Sequence, residues 1–279
     1  MKNNQYNSSY IYFIGRTNVG KSSILNTIFG KKISITSHKS GTTIQNIIGI
    51  LNQKKKKIQY VDTPGMNENK NYNNTLKILN KEKKKLILFI INKTQWTIIE
   101  KNILTVIKES LAPSILVINK VDYIINKKIL LPFIKKMKNK HDFLEIIPVS
   151  AKTGENIETL SNLINKYTKQ DIKNHKKKYT TNFTKKFFIS EIIREKFIRF
   201  LNQEIPYLIK INIDEYKINN LGIHDIYASI IINKKKHKKI IIGKNGIKIN
   251  ICRQKSKKDI EKFLKNKINL YFKIKIEKN

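Results

Sequence analysis

The chain has 279 residues, which is enough for two modest domains that each bury a hydrophobic core. Its 57 Lys and Arg residues against 20 Asp and Glu give a formal net charge of +37, which favours a polyanionic partner such as nucleic acid. Only four of these basic residues are Arg, and Lys, Asn and Ile dominate throughout, so codon usage in an A+T-rich genome accounts for part of the charge.

Several classes of protein are disfavoured by the same composition. The one cysteine, Cys252, can form neither an intrachain disulfide nor a cysteine-based zinc site. Residues 1–10 are polar and lack the apolar core of a signal peptide. The longest clean apolar run, 86–91, is far too short to span a bilayer. We therefore expect a soluble, cytoplasmic protein.

The first functional motif follows the apolar run 11–14 and precedes a helical pattern at 24–29. This context makes G-x-x-x-x-G-K-S a phosphate-binding P-loop rather than an ordinary glycine turn. Lys21 would contact the β- and γ-phosphates, and the Ser22 hydroxyl would be a Mg²⁺ ligand. The predicted phosphate-binding residues are Gly15, Arg16, Thr17, Asn18, Val19, Gly20, Lys21 and Ser22.

Two further segments match the switches of a GTPase. A polar segment, 37–43, ends in two threonines, and a threonine at this place can complete the Mg²⁺ shell when the γ-phosphate is present. A second segment, D-x-x-G, ends the apolar run 58–61. Its Asp62 can hold Mg²⁺ through water, and the Gly65 N–H can sense the γ-phosphate. The residues of this second predicted switch are Asp62, Thr63, Pro64, Gly65 and Met66.

Base selection is predicted from two motifs at the ends of later strands. The apolar run 114–118 leads into N-K-x-D, and the run 146–149 leads into S-A-K. A carboxylate can accept hydrogen bonds from both the ring N1–H and the amine of guanine, a donor pair that adenine lacks. The expected base contacts are Asn119, Lys120, Val121 and Asp122, with Ser150, Ala151 and Lys152 beside them. The predicted nucleotide is GTP.

Strand and helix patterns alternate through this part of the chain without repeats. Apolar runs such as 86–91 and 114–118 are typical of strands that helices cover on both faces, and 98–111 and 157–167 have helical periodicity. We predict a doubly wound α/β sheet, with the nucleotide at the carboxyl ends of its strands.

A second domain is predicted after a linker, 169–186, that is rich in Lys, Asn and Thr. It contains a helix (187–201), strands at 207–213, 226–232 and 268–276, and a G-x-x-G loop that opens a basic helix. This order fits a small α+β type II KH domain that binds single-stranded RNA. The predicted RNA contacts are Gly243, Lys244, Asn245, Gly246, Lys248 and Arg253.

The sequence resembles the Era family of bacterial GTPases. The segments that carry the resemblance are GRTNVGKS, KKISITSHKSGTT, DTPG, NKVD, SEIIREKFIRFLNQEIPY and IIGKNG. The resemblance implies a G domain over 1–168, a linker over 169–186 and a KH domain over 187–279. It also implies binding of GTP or GDP with Mg²⁺, contact with the 3′ end of small-subunit ribosomal RNA, and a part in 30S subunit maturation. A monomer is expected, and a peripheral contact with the inner membrane face stays open.

The resemblance further implies roles for individual residues. Lys21, Thr43 and Gly65 would be catalytic, and Ser22, Thr43 and Asp62 would hold Mg²⁺, with Thr43 preferred to Thr42. Met66 stands where a water-orienting Gln is found in Ras-like enzymes, so intrinsic hydrolysis is expected to be slow. Asn18 would either help hold K⁺ as an activator or only shape the loop.

The alternative function is an RNA-binding assembly factor whose G domain has decayed and no longer hydrolyses GTP. The intact Lys21, Ser22, Asp62 and Asp122 favour the enzyme.

Overall fold

The structure is a computed structural model that describes residues 10–30, 47–53, 56–66, 72–80, 84–168, 178–181, 184–201 and 209–277. The described residues up to 181 form one compact unit, and those from 184 onward form a second. Within these ranges, no helix combines the length and apolar character needed to cross a bilayer.

A seven-stranded sheet forms the centre of the first unit. Its strands are β1 (Tyr10–Ile14), β2 (Ile47–Gln53), β3 (Lys56–Asp62), β4 (Lys85–Asn92), β5 (Ser114–Asn119), β6 (Glu145–Pro148) and β7 (Lys178–Thr181). They lie in the order β6-β5-β4-β1-β3-β2-β7, and β1 pairs parallel with both β3 and β4. Strand β2 runs antiparallel to both of its neighbours, β3 and β7.

Five α-helices surround this sheet: α1 (Lys21–Phe29), α2 (Tyr72–Asn80), α3 (Ile98–Glu109), α4 (Leu130–Lys138) and α5 (Ile157–Tyr167). In sequence, β4 and β5 are unbroken apolar runs, and in the structure their central residues are fully buried because both sheet faces are covered. Helix α1 packs against α5, and α2 against α3. The doubly wound α/β fold is confirmed.

The last part of the predicted linker contains a strand that the sequence analysis did not predict. Within 169–186, the four residues Lys178–Thr181 form β7, which pairs antiparallel with β2. The helix predicted to follow the linker also begins at Lys185 rather than at Phe187. An edge strand is held by backbone hydrogen bonds on one side, so a short segment with Tyr and Thr can form one without apolar alternation.

Among its described residues, the second unit has three α-helices and a three-stranded sheet. Its elements are α6 (Lys185–Phe200), β8 (Lys210–Ile218), β9 (His224–Ile232), α7 (Lys235–Ile242), α8 (Ile247–Leu264) and β10 (Ile268–Ile276). The sheet order is β10-β9-β8, with β9 parallel to β10 and antiparallel to β8. Apolar side chains of α6, α8 and the sheet form one buried core. This is the predicted KH domain, with one unpredicted helix, α7, directly before the glycine loop.

Candidate nucleotide and RNA sites

Glycines shape the P-loop between β1 and α1. A Cβ at Gly15 would lie 2.2 Å from the Ile90 carbonyl oxygen, so only glycine lets the end of β1 approach β4 this closely. Gly20 has φ +97°, and a Cβ there would lie 2.2 Å from Nδ2 of Asn119. The tight loop therefore places the beginning of α1 beside the carboxyl ends of β4 and β5.

Lys21, Ser22 and Asp62 meet at the beginning of α1. The Lys21 side chain is only 6% exposed, and its Nζ donates to the carbonyl oxygens of Gly15 (3.0 Å) and Arg16 (2.9 Å). Ser22 Oγ donates to Asp62 Oδ2 at 2.5 Å, although the two residues are 40 positions apart. These two oxygens are hard ligands of the kind that Mg²⁺ prefers, so the residues present fit the predicted ion.

The D-x-x-G segment is joined to the P-loop through its backbone. Met66 N–H donates to the Gly15 carbonyl (3.2 Å), and Thr17 N–H donates to the Met66 carbonyl (3.3 Å). A Cβ at Gly65 would lie 2.6 Å from Thr17 Cα, so no larger residue fits there without displacement. Thr63 Oγ1 fixes the segment to β1 by donating to the Phe13 carbonyl at 2.7 Å.

Asn119 and Lys120 connect the base-recognition loop to the P-loop. Asn119 Nδ2 donates to the Val19 carbonyl (2.7 Å), and Asn119 Oδ1 accepts from the Ala151 N–H (3.2 Å). Lys120 Nζ donates to the Asn18 carbonyl at 2.6 Å. Burial lowers the pKa of Lys120, nearby cationic side chains lower it further, and Asp122 opposes them. The amide of Asn119 therefore fixes three loops relative to one another.

Asp122 is the carboxylate predicted to select guanine. Its Oδ1 accepts from Ser150 Oγ at 2.8 Å, and its Oδ2 lies 3.9 Å from Lys152 Nζ. The 3₁₀ turn that carries it, Val121–Tyr123, is anchored by the buried Val121. The serine and lysine of S-A-K thus orient the carboxylate, a role that the sequence motif alone did not assign to them.

Some neighbours of the site belong to no motif. Thr27 Oγ1 donates to the Ala151 carbonyl (3.1 Å), which joins α1 to the S-A-K loop. The Tyr123 ring lies within 5.4 Å of Lys93 Nζ and 4.9 Å of Lys152 Nζ. Nothing local in the sequence indicated these residues. Thr42 and Thr43, the predicted first-switch threonines, lie outside the described residues, so Thr43 stays a prediction.

The predicted RNA loop lies between α7 and α8. Gly243 and Gly246 have φ of +73° and +75°, and Asn245 between them is also left-handed, with φ +50°. A Cβ at Gly243 would lie 2.7 Å from Lys248 Cγ. Lys244 and Lys248 are exposed at the amino end of α8, where helix N–H groups favour phosphate, and Arg253 is exposed further along the helix. The structure therefore brings five of the six predicted RNA contacts together around one helix end, and it places Arg253 further along the same helix.

Two families match the chain, each over one of the units. The family described as "50S ribosome-binding GTPase" matches residues 10–120, and the family described as "KH domain" matches residues 204–279. GTPase Era of Actinobacillus pleuropneumoniae serotype 5b (strain L20) is 37% identical over 275 residues, covering 96% of this chain and 90% of that protein. The chain belongs to the Era family of GTPases.

A second relative and two solved structures agree with this assignment. GTPase Era of Haemophilus influenzae (strain PittGG) is 36% identical over 283 residues, covering 98% of this chain and 93% of that protein. Era in complex with MgGDPNP and nucleotides 1506–1542 of 16S ribosomal RNA superposes with a TM-score of 0.89 at 31% identity, covering 98% of this chain and 94% of that one. An Era variant from Aquifex aeolicus bound to GDP·AlF4⁻ also has a TM-score of 0.89, at 30% identity, covering 98% and 95%. This Era-family protein is a GTPase that uses guanine nucleotide and Mg²⁺.

Proposed function

We propose that this GTPase binds the 3′ region of small-subunit ribosomal RNA through its KH unit and assists 30S maturation, with RNA binding switched by GTP. The observation that carries the proposal is the exposed basic loop Gly243–Gly246 at the amino end of α8, in a chain that superposes on an Era bound to MgGDPNP and 16S ribosomal RNA. Backbone N–H groups and lysines at a helix end suit the phosphates of single-stranded RNA.

Within the G unit, each predicted residue has a distinct proposed role. Lys21 neutralises the β- and γ-phosphates, and the oxygens of Ser22 and Asp62 hold Mg²⁺, which offsets phosphate charge. The Gly65 N–H meets the γ-phosphate, and Thr43 completes the ion's shell when that phosphate is present. Because the thioether of Met66 can neither accept a proton nor orient water as a Gln does, the intrinsic rate is slow.

The cellular setting is part of the same proposal. The protein acts as a cytoplasmic monomer, since its proposed partner is the small ribosomal subunit and each unit encloses its own hydrophobic core. A peripheral contact with the inner membrane face stays a prediction, to which the described residues add no support.

The proposed function can be tested by crosslinking the protein to RNA and sequencing the bound RNA. One sample contains a non-hydrolysable GTP analogue and the other contains GDP. We expect reads concentrated at the 3′ end of 16S ribosomal RNA, with several-fold more in the GTP-analogue sample. Equal recovery in both samples would refute the nucleotide switch, and reads spread evenly over ribosomal RNA would refute the proposed target.

A further inference from the structure

A buried carboxylate that belongs to none of the nucleotide motifs lies beside the P-loop. Glu100, in the first turn of α3, is 1% exposed. Its Oε2 accepts from the N–H (2.8 Å) and the hydroxyl (2.5 Å) of Thr97, which completes a capping box at the helix end. One oxygen therefore satisfies the helix, and the other is available for a different interaction.

The second oxygen of Glu100 faces Arg16 of the P-loop. Glu100 Oε1 is buried, accepts no hydrogen bond from any described residue, and lies 3.5 Å from Arg16 Nε. The Arg16 side chain is 23% exposed, and its Nη2 also donates to Gln95 Oε1 at 2.6 Å. Burying a carboxylate is costly unless a charge compensates it, so this geometry is maintained by the guanidinium of Arg16.

Arg16 links this carboxylate to the groups that contact phosphate. Its backbone forms a bridge with Met66, and its carbonyl accepts from Lys21 Nζ at 2.9 Å. The backbone hydrogen bonds on either side of the bridge join the P-loop to the residue that follows Gly65. A shift of Arg16 would therefore move the D-x-x-G turn, while Lys21 Nζ retains its second acceptor, the Gly15 carbonyl.

The same connection extends toward the base-recognition loop. Gln95 Oε1 also accepts from Asn92 Nδ2 at 3.1 Å. Asn92 ends β4 directly opposite Asn119 of β5, and the next residue, Lys93, donates its N–H to the Asn119 carbonyl at 2.8 Å. The amino end of α3 is thus tied to both the phosphate side and the base side of the nucleotide site.

We propose that Glu100 is a positioning residue for GTP hydrolysis, which acts through Arg16 to hold the D-x-x-G turn against the P-loop. Stabilisation of transition-state charge requires donors fixed in place before reaction. Loosening Arg16 lets the Gly65 N–H drift from the γ-phosphate, while Lys21 Nζ is still held by the Gly15 carbonyl and the rest of the nucleotide site is retained. The loss therefore falls on kcat more than on KM.

The test is a double-mutant cycle of Glu100→Gln and Arg16→Ala in the full-length protein, with steady-state GTP hydrolysis, GDP affinity and melting temperature measured for each. Gln retains the oxygen that the capping box needs and removes the charge that faces Arg16. We expect Glu100→Gln to lower kcat about 5-fold with KM and GDP affinity within about 2-fold. The double variant should be no slower than the slower single variant, because both changes break one interaction.

Two further variants make the result decisive. Glu109→Gln is the matched control, since it makes the same change at the exposed other end of α3 and should leave kcat unaltered. Arg16→Lys retains a positive charge and should be faster than Arg16→Ala only when Glu100 is present. An unchanged kcat in Glu100→Gln, or multiplying losses in the double variant, would overturn the proposal. A parallel loss of kcat, GDP affinity and melting temperature would also overturn it, because it would show a purely structural role.

Discussion

At the scale of single residues, the nucleotide site is built from side chains that bond to one another across distant loops. Ser150 and Lys152 hold the two oxygens of Asp122, and Asn119 spans the P-loop and the S-A-K loop. Because a buried polar group left without its partner is costly, single substitutions here should change specificity rather than only lower affinity.

Asp122→Asn should exchange the base preference from guanine to xanthine. Xanthine has a carbonyl where guanine has an amine, and an asparagine amide can donate to that carbonyl. We expect GTP affinity to fall about 100-fold and xanthosine triphosphate affinity to rise, as measured by competition binding. Asp142→Asn, at an exposed site of the same unit, is the control. An unaltered preference in Asp122→Asn would remove this residue from base recognition.

Asn18 is proposed as part of a K⁺ site that stabilises transition-state charge. Its side chain is exposed, its φ is +63°, and its carbonyl accepts from Lys120. GTP hydrolysis should be faster in K⁺ than in Na⁺ at equal ionic strength, and Asn18→Ala should abolish the difference. Asn18→Gly is the control for the backbone strain that alanine would introduce at this position, because glycine tolerates positive φ. Equal steady-state rates in both salts would leave RNA or the ribosomal subunit as the activator.

At the scale of elements, the glycine loop and α8 form the proposed RNA surface. The loop depends on positive φ at three of its four positions, 243, 245 and 246, and the two glycines there keep side-chain bulk away from the backbone. Helix α7 and helix α8 meet at this loop, so the two glycines and the exposed Lys244 and Lys248 lie at the same end of α8.

Replacing both Gly243 and Gly246 by Asp should lower RNA affinity at least about 10-fold, because bulk and negative charge would face the phosphates. Guanine-nucleotide affinity should be retained. Gly222→Asp is the control, since Gly222 lies in an open turn between β8 and β9 and its φ of +72° gives the same backbone strain on substitution. Filter binding of a 16S 3′-end oligonucleotide is the measurement. If RNA affinity were unaffected by the double change, the Lys-rich segment before α6 would be the better candidate.

Cys252, on the buried side of α8, should be chemically inert in the folded protein. Burial raises the pKa of its thiol to about 12, against the smaller opposing effects of Lys255 and Lys196. The raised pKa favours the neutral thiol, so at pH 8 the reactive thiolate is scarce in the folded state and more abundant in the unfolded chain. A thiol reagent should therefore react at least about 100-fold faster in denaturant than in buffer. Equal rates would show that α8 opens readily.

At the scale of the whole molecule, the net charge of +37 should strengthen the affinity for RNA far more than the affinity for nucleotide. Each phosphate contact with single-stranded RNA releases a counterion, so log affinity should fall with log salt by about 0.7 per contact. GDP affinity should change little over the same range, because its site is preformed and partly buried. Titrations from low to physiological salt would measure both slopes, and equal slopes would show that nonspecific charge dominates.

Much of the fold and of the nucleotide site could be predicted from the sequence alone. The nucleotide motifs, the α/β class of the first unit and the KH order of the second were read from local patterns, and the predicted helix at 157–167 and strand at 268–276 match the structure. These features depend on short-range rules: apolar periodicity, glycine at loops, and a motif placed between a strand and a helix.

Only the tertiary structure decided which of these residues meet. The contacts of Asn119 with Val19 and of Arg16 with Glu100 join residues that are far apart in the chain and that no motif paired. They exist because β1 lies between β3 and β4, with β5 next along the sheet. Strand β7 likewise forms because an edge of the sheet is available to it. The periodicity of apolar residues indicates which face of a strand is buried but not which strand lies beside it, so these contacts could not be predicted from the sequence.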